Sequence, residues 1–292
     1  MFNRILVPLD GSRLAEQVFP PVTEIARAFG SQVVILGVCE PGNKEEEQVC
    51  QLYTDDQAKR LRTGFAGSSA TSVMATLPGK PADQVTKYAQ TNDVGLIVMT
   101  AHGRSGIKPW LGGTAQQVLR KAAVPLVVMR AGEPGEDVRL FDRIVVPLDG
   151  SDKSAVVLPY LVELAKRMPC GILPIRVTEP GKHVRTIGGL DYIRFGDRDL
   201  NSATAAAREH LDKVCAGFSG TRARVECEVR VGDAAQEILK FADEKDCTLL
   251  AMSSHGHSGI EGWAMGSVSA KVIQHSRHSV FLVPSFSQRP EY

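Results

Sequence analysis

The chain has 292 residues, which at roughly 100–200 residues per domain points to two domains; its 43% hydrophobic and 23% charged fractions are ordinary for a globular protein. Lys and Arg total 34 against 33 Asp and Glu, and the formal net charge of +1 excludes a strongly basic nucleic-acid binder and an acidic tail. No run reaches the ~18 apolar residues of a membrane-spanning helix, and Met1-Phe2-Asn3-Arg4-Ile5 reads as the approach to a strand, not as a signal peptide. The expected location is cytoplasmic.

Ile5–Leu9 is the first strand candidate and runs out in Pro8-Leu9-Asp10-Gly11-Ser12. Leu14, Val18, Val22, Ile25 and Phe29 make one apolar helical stripe, which Pro20-Pro21 is expected to kink. Val33–Val38 follows as a strand, and Lys44-Glu45-Glu46-Glu47 opens a solvated helix. Strand Ser72–Thr76, helix Ala82–Ala89, strand Gly95–Thr100, helix Thr114–Ala122 and strand Leu126–Met129 complete the first half. Ala131 to Asp137 is rich in Gly, Pro and acid, which sets domains at 1–131 and 139–292 around a linker at 132–138. The second half offers strands Ile144–Leu148, Gly171–Val177, Arg224–Arg230, Thr248–Ser253 and Val280–Val283, with helices Ala234–Ala242 and Ser267–Gln274. Continuous Val/Ile/Leu runs suit strands buried on both faces, and their alternation with helices implies a doubly wound α/β unit, twice over.

The two halves are one pattern repeated. FNRILVPLDGS (2–12) and FDRIVVPLDGS (141–151) match at nine of eleven positions, at an offset of 139. Pro20 and Pro159 keep that offset, as do Glu40-Pro41 and Glu179-Pro180. Further on it becomes 153: Gly79 aligns with Gly232, His102-Gly103 with His255-Gly256, and Gly113-Thr114 with Gly266-Ser267. The net insertion of 14 residues falls between Pro180 and Gly232, most of it assigned to 181–200, where Tyr192 and Phe195 lie.

Open α/β sheets bind ligands beyond the carboxyl ends of their strands, where the strand order reverses. Asp10 and Asp149 stand there. A carboxylate in that place can accept from ribose hydroxyls or hold a metal bridging to phosphate; it can equally make the Asx-turn that Asp-Gly-Ser favours. The fourth strand of each half runs into a glycine turn, Thr100-Ala101-His102-Gly103 and Ser253-Ser254-His255-Gly256. With nine residues between, Gly103 and Gly256 are followed by Gly113-Thr114 and Gly266-Ser267, which open helices. Glycines allow close approach of backbone to an anion, and a helix N-terminus supplies free N–H groups. No GxxxxGK[ST] loop is present.

His102 and His255 recur beside this turn, yet sequence order gives them no nucleophile and acid partner; they read as loop histidines bonded to backbone, and no catalytic residue is assigned. His255-x-His257 lacks a third ligand, so no metal set is assigned either. The six cysteines contain no Cys-x-x-Cys pair and read as reduced thiols, with Cys39, Cys227 and Cys247 in apolar or strand-like runs.

On these residues both halves resemble the universal stress protein family, over nearly the whole chain. That family carries a phosphate signature G-x-x-G-x9-G-[S/T] after a first strand ending in Asp. Here Gly103 and Gly113, and Gly256 and Gly266, are its second and third glycines, followed by Thr114 and Ser267. Thr100 and Ser253 replace the first glycine. The resemblance implies two Rossmann-like domains, each with a five-stranded, mainly parallel sheet in the order 3-2-1-4-5. It also implies that the halves pair through their last strands as an intramolecular pseudo-dimer, with further homodimerisation open. The implied ligand is ATP, with Mg²⁺. Asp10 and Asp149 would meet ribose or a metal, and the backbone at Val38 and Val177 would face adenine. The implied binding set is Pro8, Leu9, Asp10, Val38, Met99, Thr100, His102, Gly103, Gly113, Thr114 and Ala115. Its second-half counterpart is Pro147, Leu148, Asp149, Val177, Met252, Ser253, His255, Gly256, Gly266, Ser267 and Val268. Arg104 and Lys108 favour polyphosphate in the first half, where the second has His257 and Glu261. The expected function is a regulatory, nucleotide-sensing module in stress response with no nucleic-acid or membrane partner. The rivals are a scaffold with vestigial sites and a slow ATPase.

Overall fold

The structure is a computed structural model that describes residues 1–39, 42–66, 70–103, 111–131, 139–180, 197–256 and 265–285. The expected linker 132–138, the loop cations Arg104 and Lys108, His257 and Glu261, and Tyr192 and Phe195 lie outside the described residues.

The strands are β1 Arg4–Leu9, β2 Gln32–Cys39, β3 Thr71–Pro78, β4 Leu96–Thr100, β5 Leu126–Met129, β6 Arg143–Pro147, β7 Cys170–Thr178, β8 Ala223–Val225, β9 Glu228–Val231, β10 Leu249–Ser253 and β11 Ser279–Val283. The helices are α1 Phe19–Phe29, α2 Lys44–Gly64, α3 Pro81–Thr91, α4 Gly113–Lys121, α5 Asp152–Ala155, α6 Leu158–Arg167, α7 Asp197–Ala216, α8 Ala234–Glu244 and α9 Ser267–His275. The 11 strands among the described residues belong to one sheet, ordered β3-β2-β1-β4-β5-β11-β10-β6-β7-β8, with β9 also on β7. Each half therefore has the doubly wound 3-2-1-4-5 order, with parallel pairs throughout. Among the described residues the one antiparallel join is β5 with β11, where Val127 faces Phe281.

Strand alternation sends Ile5, Val7 and Leu9 into one apolar layer and Leu6 into the other. α1, α2, α6 and α7 cover the first layer, and α3, α4, α8 and α9 the second. Both layers run uninterrupted from one half into the other. At the join, the Phe2 ring lies 5.9 Å from Tyr160 and 6.5 Å from Phe281, and the Arg167 guanidinium sits 4.7 Å over Phe29.

Two expected elements differ. Pro20-Pro21 does not kink a helix. A 3-10 turn at Ala15–Val18 precedes α1, and the prolines fall in the first turn of α1, where a missing N–H costs no hydrogen bond. The strand expected at Arg224–Arg230 is divided into β8 and β9, which share one register on β7. That register sets Pro174 of β7 opposite Cys227, and proline has no N–H for the ladder.

The cysteines also differ from expectation. Cys215, near the end of α7, and Cys227, between β8 and β9, are disulfide-bonded, while Cys39, Cys50, Cys170 and Cys247 remain thiols. The turn after α7, tied by Ser219 N–H to Ala216 and Thr221 N–H to Phe218, brings the chain back beside its own helix. Sequence spacing does not reveal such a return.

Candidate functional site

β1 leads to α1 on one face of the sheet and β4 to α4 on the other. At that divergence a cavity of about 240 Å³ opens beyond the strand ends. Pro8, Leu9 and Asp10 line it from the end of β1, Val38 from β2, and Met99 and Thr100 from β4. His102 and Gly103 line it from the turn, and Gly113, Thr114 and Ala115 from the start of α4. The fold thus brings together all the first-half positions that the resemblance implies. Ala15, Leu36, Pro81, Val85, Ala101 and Gly112 complete the wall. The apolar ones among them carry no sequence signal that separates them from core.

Asp10 divides its carboxylate between two tasks. Oδ1 accepts from the Ser12 backbone N–H at 3.0 Å, making the Asx-turn, while Oδ2 lies against Gly103. The second half repeats this: Asp149 Oδ1 accepts from the Ser151 N–H at 2.9 Å and its Oγ at 2.6 Å, with Oδ2 against Gly256. A Cβ on Gly103 would fall 1.8 Å from Asp10 Oδ2, and one on Gly256 2.0 Å from Asp149 Oδ2. The glycines are therefore what lets the strand-end carboxylate touch the turn. Gly11 and Gly150, at φ +83° and +87°, supply the left-handed step that follows each Asp.

The hydroxyls that replace the signature's first glycine also have a shared task. Thr100 Oγ1 donates to the His102 carbonyl and Ser253 Oγ to the His255 carbonyl, each at 2.6 Å. Each closes its turn on itself.

The helix starts require a correction to the alignment of the halves. Gly112 and Gly266 are the N-cap residues, and their N–H groups donate to the equivalent carbonyls of Ala101 (2.7 Å) and Ser254 (2.9 Å). Buried Ala115, Val118 and Leu119 correspond to Ser269, Val272 and Ile273. Gly112-Gly113, not Gly113-Thr114, thus occupies the place of Gly266-Ser267. Eight residues separate Gly103 from its helix cap and nine separate Gly256 from its own. A Gly-Gly pair bears no side chain to mark which member caps; the buried face of the helix decides it. Thr114 is the second residue of its helix and Ser267 the first.

The second half keeps Pro147, Leu148, Asp149, Val177, Met252, Ser253, His255, Gly256, Gly266, Ser267 and Val268 at the corresponding strand ends and turn. Its surroundings differ. Arg176 stands where the first half has Gly37, and its guanidinium packs over Gly150, 2.7 Å from where a Cβ would be. Burial and then the Arg176 charge lower the pKa of His210 on α7, opposed by Asp149. Asp233 caps α8 through the Gln236 N–H at 3.1 Å, and Glu179 accepts from the Ala234 N–H at 3.1 Å. The matching helix α3 begins at Lys80 with no side-chain cap. His255 is buried, with Nδ1 at 2.9 Å from Ser254 Oγ and 3.0 Å from Ser285 Oγ. Both of these contacts are with hydroxyls. Ser269 Oγ donates to the Ser253 carbonyl at 3.1 Å, a contact unavailable to Ala115. No group of three or more His, Cys, Asp or Glu side chains that could hold a metal occurs among the described residues. No helix among them is long and apolar enough to cross a membrane.

A repeated doubly wound unit, with a strand-end Asp against a turn glycine and a glycine-capped helix, defines the class of protein. The chain belongs to the universal stress protein family, whose model matches residues 1–130 and again 140–284. It is similar to universal stress protein Slr1230 of Synechocystis sp. (strain ATCC 27184 / PCC 6803 / Kazusa), 22% identical over 302 residues, covering 93% of this chain and 96% of that one. Universal stress protein YxiE of Bacillus subtilis (strain 168) is 31% identical over 147 residues, which cover 49% of this chain and 99% of the relative. Among solved structures, a universal stress protein from Archaeoglobus fulgidus DSM 4304 superposes with a TM-score of 0.66 at 20% identity, covering 98% of this chain and 99% of that one. A functionally unknown protein, PA1789 from Pseudomonas aeruginosa PAO1, gives 0.70 at 15% identity, covering 97% and 92%.

Proposed function

We propose that this protein binds ATP, accompanied by Mg²⁺, in the first-half cavity and acts in the cytoplasm as a regulatory nucleotide-sensing module of a stress response. The observation that carries this reading is the cavity of about 240 Å³ that gathers the strand-end Asp10, the Gly103 turn and the start of α4 at one point. A helix N-terminus with glycine at its cap suits phosphate, and apolar Val38, Met99 and Val85 suit the base. Mg²⁺ in nucleotide sites is held by phosphate oxygens and one or two carboxylates, so a dedicated protein cage is not required. Asp10 is the carboxylate here, and the ion would neutralise phosphate charge.

The halves are unequal in this reading. Lys80 at the start of α3 favours a polyanion, whereas Asp233 stands at the start of α8. Arg176 over Gly150 sets a cation beside the Asp149 turn. The expected stoichiometry is one tightly bound ATP per chain. Isothermal titration of the full chain with Mg-ATP tests it. Two equivalent sites would refute the inequality, and no binding up to millimolar ATP would replace the sensor with a scaffold.

A further inference from the structure

The first half holds a second feature directly behind the cavity wall. β2 points Ile35, Gly37 and Cys39 toward the α2 face, because alternate residues of a strand share a face. Cys39 is buried and donates its S–H to the Leu77 carbonyl at 3.6 Å. The half-buried Cys50 of α2 packs on the same face, two residues from Cys39: a Cβ on Gly37 would fall 2.6 Å from Cys50 Sγ. The second half has Arg176 and Thr178 at the places of Gly37 and Cys39, so the arrangement belongs to the first half alone.

We propose that Cys39 and Cys50 are a peroxide-oxidisable dithiol, and that its disulfide weakens ligand binding in the cavity by pulling on the end of β2. The second part rests on the ATP reading above. Val38, which lines the cavity, precedes Cys39, and both pair with the last two residues of β3. Cys50 is the first to react because it is the more exposed thiol; burial, then Glu47, raises the pKa of Cys39. The Cys50 thiolate attacks the peroxide: an S–O bond forms, the O–O bond breaks, and the departing hydroxide takes a proton to become water. Cys39 sulfur then attacks Cys50 sulfur, the S–S bond forms, the S–O bond breaks, and a second water leaves. Two thiols lose two electrons in all, and hydrogen peroxide is reduced to two waters.

The full chain provides its own controls. Cys170 and Cys247 are buried free thiols whose pKa burial pushes up to about 11, so both resist oxidation. Native protein is treated with graded hydrogen peroxide, unfolded, alkylated with N-ethylmaleimide and mapped by peptide mass. The expected product is a Cys39–Cys50 crosslinked peptide lighter by two hydrogens, with Cys170 and Cys247 still alkylated. In Cys50→Ser, Cys39 remains alkylated at the same peroxide dose. A Cys50 sulfenic acid trapped with dimedone at doses where, without dimedone, Cys39 stays alkylated and no crosslinked peptide forms would overturn the dithiol. So would oxidation of Cys39 in Cys50→Ser at the wild-type rate. Titration with Mg-ATP then compares the two redox forms, and weakening of about fivefold or more on oxidation is expected, the low end of ordinary coupling between sites. A mapped disulfide with unchanged affinity overturns the coupling. A mapped disulfide in a chain that binds no ATP when reduced overturns the nucleotide reading and leaves the dithiol standing.

Discussion

Gly103→Ala tests the link between the turn and the strand-end carboxylate. The new Cβ would lie 1.8 Å from Asp10 Oδ2 and 2.7 Å from its Cγ. Real Cβ contacts do not fall under 3.0 Å, so the carboxylate must retreat by roughly 1.2 Å or the turn must open. A retreat of that size exceeds the tolerance of a hydrogen bond from ribose or of a shared metal. Hydrogen bonds to charged groups contribute about 1.5–3 kcal/mol, which corresponds to ATP binding weakened about 10- to 150-fold. Asp10 is exposed, and exposed-site changes usually move stability by only about 0.5 kcal/mol, so the fold should survive. Titration calorimetry on a double-mutant cycle isolates the mechanism. Asp10→Ala removes the atoms that Gly103→Ala strikes, so adding Gly103→Ala to it should cost little more. Wild-type affinity in Gly103→Ala, or losses that simply add in the double variant, would refute the reasoning.

Three further outcomes follow from the contacts described above. Thr100→Ala removes the 2.6 Å bond from Oγ1 to the His102 carbonyl and should cost about 1 kcal/mol in urea unfolding; an unchanged midpoint would show that the hydroxyl does not hold the turn. Phe281→Ala empties the aromatic cluster at the join, where Phe281 packs 6.1 Å from Tyr160 and 6.5 Å from Phe2. A loss of about 3–5 kcal/mol is expected, with earlier proteolysis between the halves, and a loss under about 1 kcal/mol would contradict the packing. His210 titrates lower in the folded chain than its ordinary 6.5, through burial first and Arg176 second. Between the folded pKa and 6.5 the unfolded chain binds more protons, so stability is full above pH 6.5 and falls as pH drops toward the folded value. His210→Gln should flatten that part of the pH–stability curve, and an unaltered slope would assign it to another group.

Much of this protein is written in short stretches of chain. Apolar runs, helical stripes and turn glycines are local patterns, and their recurrence at nearly constant offset exposed the duplicated α/β plan, while the family resemblance they carry implied the positions that line the first-half cavity. Strand ends and turns follow from residues a few places apart, so Asp10 and the Gly103 turn were visible without coordinates. Other features depend on atoms distant in sequence. Which glycine of Gly112-Gly113 caps α4 is settled by the face that Ala115, Val118 and Leu119 bury. Pro174 divides β8 from β9 only because the register sets it opposite Cys227. The Cys215–Cys227 bond requires the chain to return along α7, and the approach of Cys50 to β2 requires a helix lying over Gly37. The inequality of the two halves likewise arises in three dimensions, where Arg176 reaches Gly150. Sequence determined the repeated units because local backbone preference and burial period act over a few residues. Tertiary structure alone decided what each unit's side chains meet, because packing joins residues that the chain keeps far apart.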